Sequence, residues 1–244
     1  MLSEIIYYNN ILALLPYIAS FFCLLPIIIG FYNKKIIVNE LIIILKYLKF
    51  SLLIMFVLII YNYVTANYFI DCEPTLSWLK VTSSNFFSIF SFFTTFYFFS
   101  QFFSQLIPNS KLKKLILYGS WILFLITFID YFWFTGYDNY SSVSQCIMAF
   151  YGLILPATHL WYIYREDSKV PLNRNPYFWI ALGLMLPNTM TIWLELYGTR
   201  LYEADFALFC QVNIGNIVFY CIGMLLIARG FYFARYAQYL QHQP

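Results

Sequence analysis

Seven stretches of this chain are apolar for long enough to cross a bilayer, and no other feature limits its folding as strongly. A hydrocarbon core about 30 Å thick needs about 20 apolar residues per helix. The stretches are Ile11–Tyr32, Ile36–Phe69, Val81–Leu106, Leu115–Thr135, Val143–Tyr164, Tyr177–Thr199 and Phe206–Tyr236. The segments "DCEPT", "IPNSKLKK", "TGYDNY", "REDSKVPLNRNP" and "GTRLYEAD" read as the loops between them. The composition agrees: 62% of the residues are hydrophobic and 10% are charged, against about 25% charged in soluble domains. No linker or internal repeat divides the chain. The predicted fold is an all-α polytopic membrane protein, a seven-transmembrane-helix bundle forming one domain over residues 1–244. The start "MLSEIIYYNN" carries Glu4 and no basic residue, so the first apolar run is expected to be retained rather than cleaved as a signal peptide.

Basic residues predict the orientation. Lys34, Lys35, Lys46, Lys49, Lys111, Lys113, Lys114, Arg165, Lys169, Arg174, Arg229 and Arg235 all follow spans one, three, five and seven. The other side keeps only Lys80 and Arg200 of the fourteen. This places the N-terminus outside and the C-terminus in the cytoplasm of a multi-pass cell-membrane protein. The second stretch is too long for a simple crossing. Lys35, Asn39, Lys46 and Lys49 share one helical face, so Ile36–Lys49 is expected to lie in the interface before Phe50–Phe69 crosses.

Polar residues inside apolar spans should face other helices or water. Asp130 stands in "LITFIDYFWF", where an ionised carboxylate is costly without relief. In span six Asn188, Thr191 and Glu195 share a face. In span five Gln145, Gly152, Pro156 and His159 do, and in span seven Asn213, Asn216, Tyr220 and Gly223 do. By helical rise, Asp130, Gln145, Glu195 and Asn213 lie toward the outer ends, Asn188 and Asn216 near mid-membrane, and His159 toward the cytoplasm. Two readings stand: these groups line one outward-facing ligand cavity, or they mark the water interface and bond helices together. Ser84, Ser88, Ser91 and Thr95 form a small polar stripe on span three, expected to serve packing, with dimerisation through span three as the alternative. Pro16, Pro26, Pro156 and Pro187 should kink or locally open their helices. Cys72, in an expected outer loop, could form a disulfide with Cys146 or Cys210 in an oxidising compartment.

Several chemistries lack their residues. Span seven has no lysine for a retinal Schiff base, and His159 and His242 are too few for a seven-helix zinc hydrolase. No C-x-x-C, G-x-S-x-G, phosphate loop or basic nucleic-acid face occurs. No metal or cofactor is implied, nor a nucleic-acid partner. The tail after Tyr236 is expected to carry no output domain.

The segments "LNRNPYFWIALGLMLPNT" and "FCQVNIGNIVFYCIGMLLIARGFYF" resemble the last two helices of small, uncharacterised seven-helix integral membrane proteins of Bacteroidota, through Asn175, Pro176, Phe178, Trp179, Ile180, Asn213 and Asn216. The resemblance implies a bacterial inner membrane and no established activity. The function expected first is a receptor-like or sensory module that binds a small ligand from outside through Asp130, Gln145, Glu195, Asn188, Asn213, Asn216 and His159. It would signal to a separate membrane or cytoplasmic partner through its loops. A small-molecule transporter and a structural or assembly subunit are the alternatives. An intramembrane enzyme comes last.

Overall fold

A computed structural model describes residues 2–79, 83–136, 139–165 and 170–241. The described residues form helices and short connections, with no strand among them. The long helices are α1 (Leu2–Tyr32), α2 (Asn39–Leu79), α3 (Ser88–Leu106), α4 (Ser110–Ile129), α5 (Ser142–Arg165), α6 (Pro176–Ala204) and α7 (Phe206–Tyr232). A short α8 (Ala237–Gln241) follows. Seven segments within them are long and apolar enough to span a membrane: Leu14–Tyr32, Asn39–Thr65, Ser84–Leu106, Ser110–Phe134, Ser142–Arg165, Pro176–Gly198 and Phe206–Tyr232.

Side-chain chemistry sets several helix starts. Asn109 caps α4, its Oδ1 accepting the N–H groups of Lys111 at 2.9 Å and Leu112 at 3.3 Å, so α4 begins five residues before the expected span. Asn175 caps α6 in the same way, through Tyr177 and Phe178, and Pro176 occupies the first turn, where its missing N–H costs nothing. The expected loop "GTRLYEAD" is almost absent. It contains no proline, an interior glycine costs a helix only about 1 kcal/mol, and α6 runs on to Ala204. Asp205 alone is extended, and it caps α7 by accepting the Leu208 N–H at 3.0 Å.

The helices close a ring in the order α1, α2, α3, α5, α6, α7, with α7 returning to α1; α4 lies outside, mainly against α3. At the core of α3, Phe92, Phe96, Phe99 and Phe103 are buried at spacings of 4, 3 and 4. Phenylalanine therefore fills the inward face of this helix. Of the expected small polar stripe, Thr95 is buried while Ser84, Ser88 and Ser91 are partly buried. Opposite ends of the ring differ in charge. The basic end gathers Lys34, Lys35, Lys113, Arg174 and Arg229. There Asn33 Nδ2 donates to the Phe231 carbonyl at 3.0 Å, and the Arg229 guanidinium lies 4.2 Å from the Trp179 ring centre.

The expected interfacial helix over Ile36–Lys49 is not formed, and these residues do not lie along the surface as a separate element. From Asn39 onward they are the opening turns of α2, which continues unbroken through "DCEPT" to Leu79. Leu41, Ile44, Leu45 and Leu48 are buried among the other helices, the first, second and fourth of them completely. Asn39, Lys46 and Lys49 do share a face of α2, while Lys35 lies in the turn before it; the opposite face of the helix is apolar enough to pack in the ring. At about 1.5 Å per residue, 41 residues span roughly 60 Å, twice the hydrocarbon thickness, so α2 extends beyond its crossing.

Glycine and proline set the closest crossings. A proline leaves the carbonyl four residues earlier without its helical donor. Pro156 does this to Gly152, and Asn188 Nδ2 of α6 reaches that carbonyl at 3.4 Å while also donating to Leu184 at 2.6 Å. Pro187 does it to Gly183, whose carbonyl oxygen sits 2.5 Å from the position a Cβ on Gly223 would take. The reverse approach, Gly223 oxygen to a Cβ on Gly183, is also 2.5 Å. The α6 and α7 backbones touch there, and only two hydrogens allow it.

Candidate functional site

The end opposite the basic residues carries the polar chain closest to the expected site. Helix α4 finishes in one π-helical turn, Asp130–Phe134, closed by the Thr135 N–H donating to the Asp130 carbonyl at 2.8 Å. Gly136, at φ +85°, then turns the chain, a conformation that suits glycine. The Asp130 carboxylate is met by three hydroxyls. Thr135 donates to Oδ1 at 3.2 Å, and Ser144 donates to Oδ2 at 2.6 Å. Ser141 also donates to Oδ2 and accepts the Ser144 N–H at 3.1 Å, as an N-cap does. The carboxylate thus lies against the first turn of α5, where the helix dipole favours negative charge. This is how Asp130 is relieved among aromatic residues.

Glu195 does not face Asp130. It accepts a hydrogen bond from the Tyr140 hydroxyl instead. Since Tyr140 and Ser141 are neighbours, the connection between α4 and α5 is held on one side to α4 through Asp130 and on the other to α6 through Glu195. Both carboxylates are partly buried. Gln145, also partly buried, follows Ser141 by one turn, and among the described residues no side-chain bond joins it to this chain. Asn213 donates to its own helix at the Phe209 carbonyl, 3.0 Å away.

The remaining expected site residues fall elsewhere. Asn188 fills the crossing at Gly152. Asn216 accepts from Thr191 across α6 and α7 at 3.5 Å, and Thr191 also donates to the Pro187 carbonyl at 3.0 Å. His159 is buried toward the basic end between the rings of Phe103, 6.0 Å away, and Tyr177, 6.2 Å away. Neither imidazole nitrogen nor the Tyr177 hydroxyl has a hydrogen-bond partner. The seven residues therefore occupy three levels of the bundle. Tyr140, Ser141, Ser144 and Thr135 complete the polar chain and were not among the expected site residues. The S-x-x-S spacing before the apolar run of span five was a readable cap signal; Tyr140 had none.

Among the described residues no group of three His, Cys, Asp or Glu side chains could hold a metal ion. Cys23, Cys146, Cys210 and Cys221 are free. The expected disulfide rests on Cys72, whose side chain lies outside the described residues, as do Lys80, Asp138, Lys169 and His242.

This architecture defines the class: a multi-pass membrane protein built on seven apolar helices. Comparison with protein-family models, curated proteins and solved structures finds no match for the chain.

Proposed function

We propose that the chain is a receptor-like membrane protein, with the Asp130–Glu195 end facing outside and the C-terminus in the cytoplasm. The carrying observation is the Tyr140–Glu195 hydrogen bond, which links the α4–α5 connection to α6 at the end with few basic residues. Both partners can be reached from that end: Tyr140 is exposed and Glu195 is only partly buried. A small cationic ligand taking the Glu195 carboxylate would release Tyr140 and so uncouple the connection from α6. Helix α6 is held by backbone contact to α7 at Gly183–Gly223 and by Asn188 to α5. Those contacts flank Pro187 and would act as a fulcrum, so displacement at Glu195 would move the basic end of α6, where Arg174 precedes the helix and Trp179 meets Arg229. A partner protein there would read the shift. The transporter alternative has less support, because Asn188 and Gly152 are in contact where a mid-membrane pathway would have to open. The Bacteroidota resemblance points to a bacterial inner membrane.

The test is a thermal-stability screen of purified protein with a panel of primary and quaternary amines, run on wild type and on Glu195→Gln. The receptor reading expects at least one compound to shift the wild-type transition and leave Glu195→Gln unmoved. Compounds that shift both equally, or none that shifts wild type, would refute it.

A further inference from the structure

Helices α2 and α3 do not close against each other along their whole shared length. Near the basic end Tyr47 packs on Phe99 with ring centres 5.0 Å apart. Phe50 and Phe98 meet at 5.6 Å, and about three turns further along α2 Tyr61 and Phe87 meet at 5.4 Å. Between those two ring pairs lies an open groove of about 770 Å³. Its walls are apolar: Leu53, Ile54 and Val57 from α2, Phe90 and Tyr97 from α3, with Thr94 as the small residue that deepens the floor. The Thr94 hydroxyl is turned back to the Phe90 carbonyl at 2.6 Å, so it offers the groove no free donor. The single charge on the lining is Lys46, at the basic end.

We propose that this groove binds an anionic phospholipid, one acyl chain lying between α2 and α3 and the headgroup phosphate on Lys46. Three observations select that occupant. The lining from Lys46 to Val57 covers eleven helical steps, roughly 16 Å, which is the depth of one leaflet of a hydrocarbon core about 30 Å thick. The groove lies in the middle part of the apolar span Asn39–Thr65, so a chain entering at the basic end runs along it to just past the midplane. The charge sits at the end where headgroups lie, on a flexible stem that can rise to a phosphate. Finally, Lys46 is free to do so. Among the described residues its ammonium has no carboxylate or aromatic partner, whereas neighbouring Lys49 is held 4.0 Å from the centre of the Phe31 ring. Acyl chains exchange with bulk lipid at little gain, so preference must come from the headgroup. One lysine near an anionic phosphate corresponds to an enrichment of about fivefold. This inference stands apart from the receptor reading, since it uses neither Glu195 nor Tyr140.

The experiment is native mass spectrometry of the full chain in mild detergent with equimolar phosphatidylglycerol and phosphatidylcholine. Wild type should retain one lipid, favouring phosphatidylglycerol about fivefold. Lys46→Gln should bring the ratio of the two lipids near unity. Val57→Trp, on the exposed wall of the groove, should remove the bound lipid of either kind while the thermal transition stays at the wild-type value. Lys46→Gln leaves the packed face of α2 untouched, so it decides the question even if Val57→Trp fails to fold. Equal retention of both lipids by wild type, or an unchanged ratio in Lys46→Gln, overturns the proposal. So does a dimer that Val57→Trp dissociates without changing lipid content, which would make the occupant a second copy of the chain.

Discussion

Replacing Gly152 by alanine separates local helix preference from tertiary packing. In an isolated helix the change would stabilise by about 1 kcal/mol. Here the new Cβ would lie 2.6 Å from Cγ, Oδ1 and Nδ2 of Asn188 at once. Asn188 cannot simply swing aside, because its amide is held to the Leu184 carbonyl at 2.6 Å. Overpacking of this kind costs about 1–3 kcal/mol, and loss of the Asn188 bond to the Gly152 carbonyl adds about 0.6 kcal/mol, the average for such interhelical bonds. The net expectation is destabilisation by about 1–2 kcal/mol. Asn188→Ala alone should also destabilise by about 1–2 kcal/mol, since Pro156 leaves that carbonyl with no other donor. The double variant removes the clash and keeps the helix preference of alanine. It should be more stable than the sum of the two single effects predicts, by at least about 1 kcal/mol. Reversible unfolding of the four proteins in mixed detergent micelles gives the cycle. Additive single effects, or a Gly152→Ala protein as stable as wild type, would show that the α5–α6 contact does not hold the helices as described.

The α6–α7 crossing should be less forgiving. Gly223→Ala or Gly183→Ala places a Cβ 2.5 Å from a backbone carbonyl oxygen, so the helices must separate, and either variant should unfold at least about 2 kcal/mol more easily than wild type in the same assay. Asp130→Ala leaves three hydroxyls without their acceptor and should cost about 1–3 kcal/mol, with faster amide exchange confined to residues 130–145; a protein with unchanged exchange there would refute the capping role. Tyr140→Phe and Glu195→Gln each disturb one side of the same hydrogen bond, so their stability changes should fail to add; strictly additive values would mean the bond is not formed. For orientation, a cysteine at Lys113 should react with impermeant reagents only from the cytoplasm and one at Asn139 only from outside; the opposite pattern would invert the proposed topology.

The amino-acid sequence determined the architecture because crossing a bilayer is a property of segments. Runs of about 20 apolar residues are readable without knowing what they touch, and the seven spans agree with the seven long helices except at their ends. Those ends depended on caps: Asn109 and Asp205 decide where α4 and α7 begin, the first through two neighbouring N–H groups and the second through one. The motif Asn175-Pro176-x-Phe178-Trp179-Ile180 was legible as a pattern, and its physical content proved local. Asn175 caps, Pro176 starts the helix and Trp179 meets Arg229. Tertiary structure alone decided which polar residues meet. Helical spacing put Asp130 and Glu195 at the same depth, but depth does not fix azimuth, and each carboxylate found hydroxyls on the α4–α5 connection instead of the other. It also decided the fate of residues 36–49. Their lysines implied a surface, while Leu41, Ile44 and Leu48 of the same turns packed among the other helices, because a helix face is polar or buried only relative to its neighbours. Gly152 and Gly183 carry the same lesson. Each stands four residues before a proline, and the carbonyl that proline frees is met by a side chain or backbone from a helix that no spacing within one span can reveal.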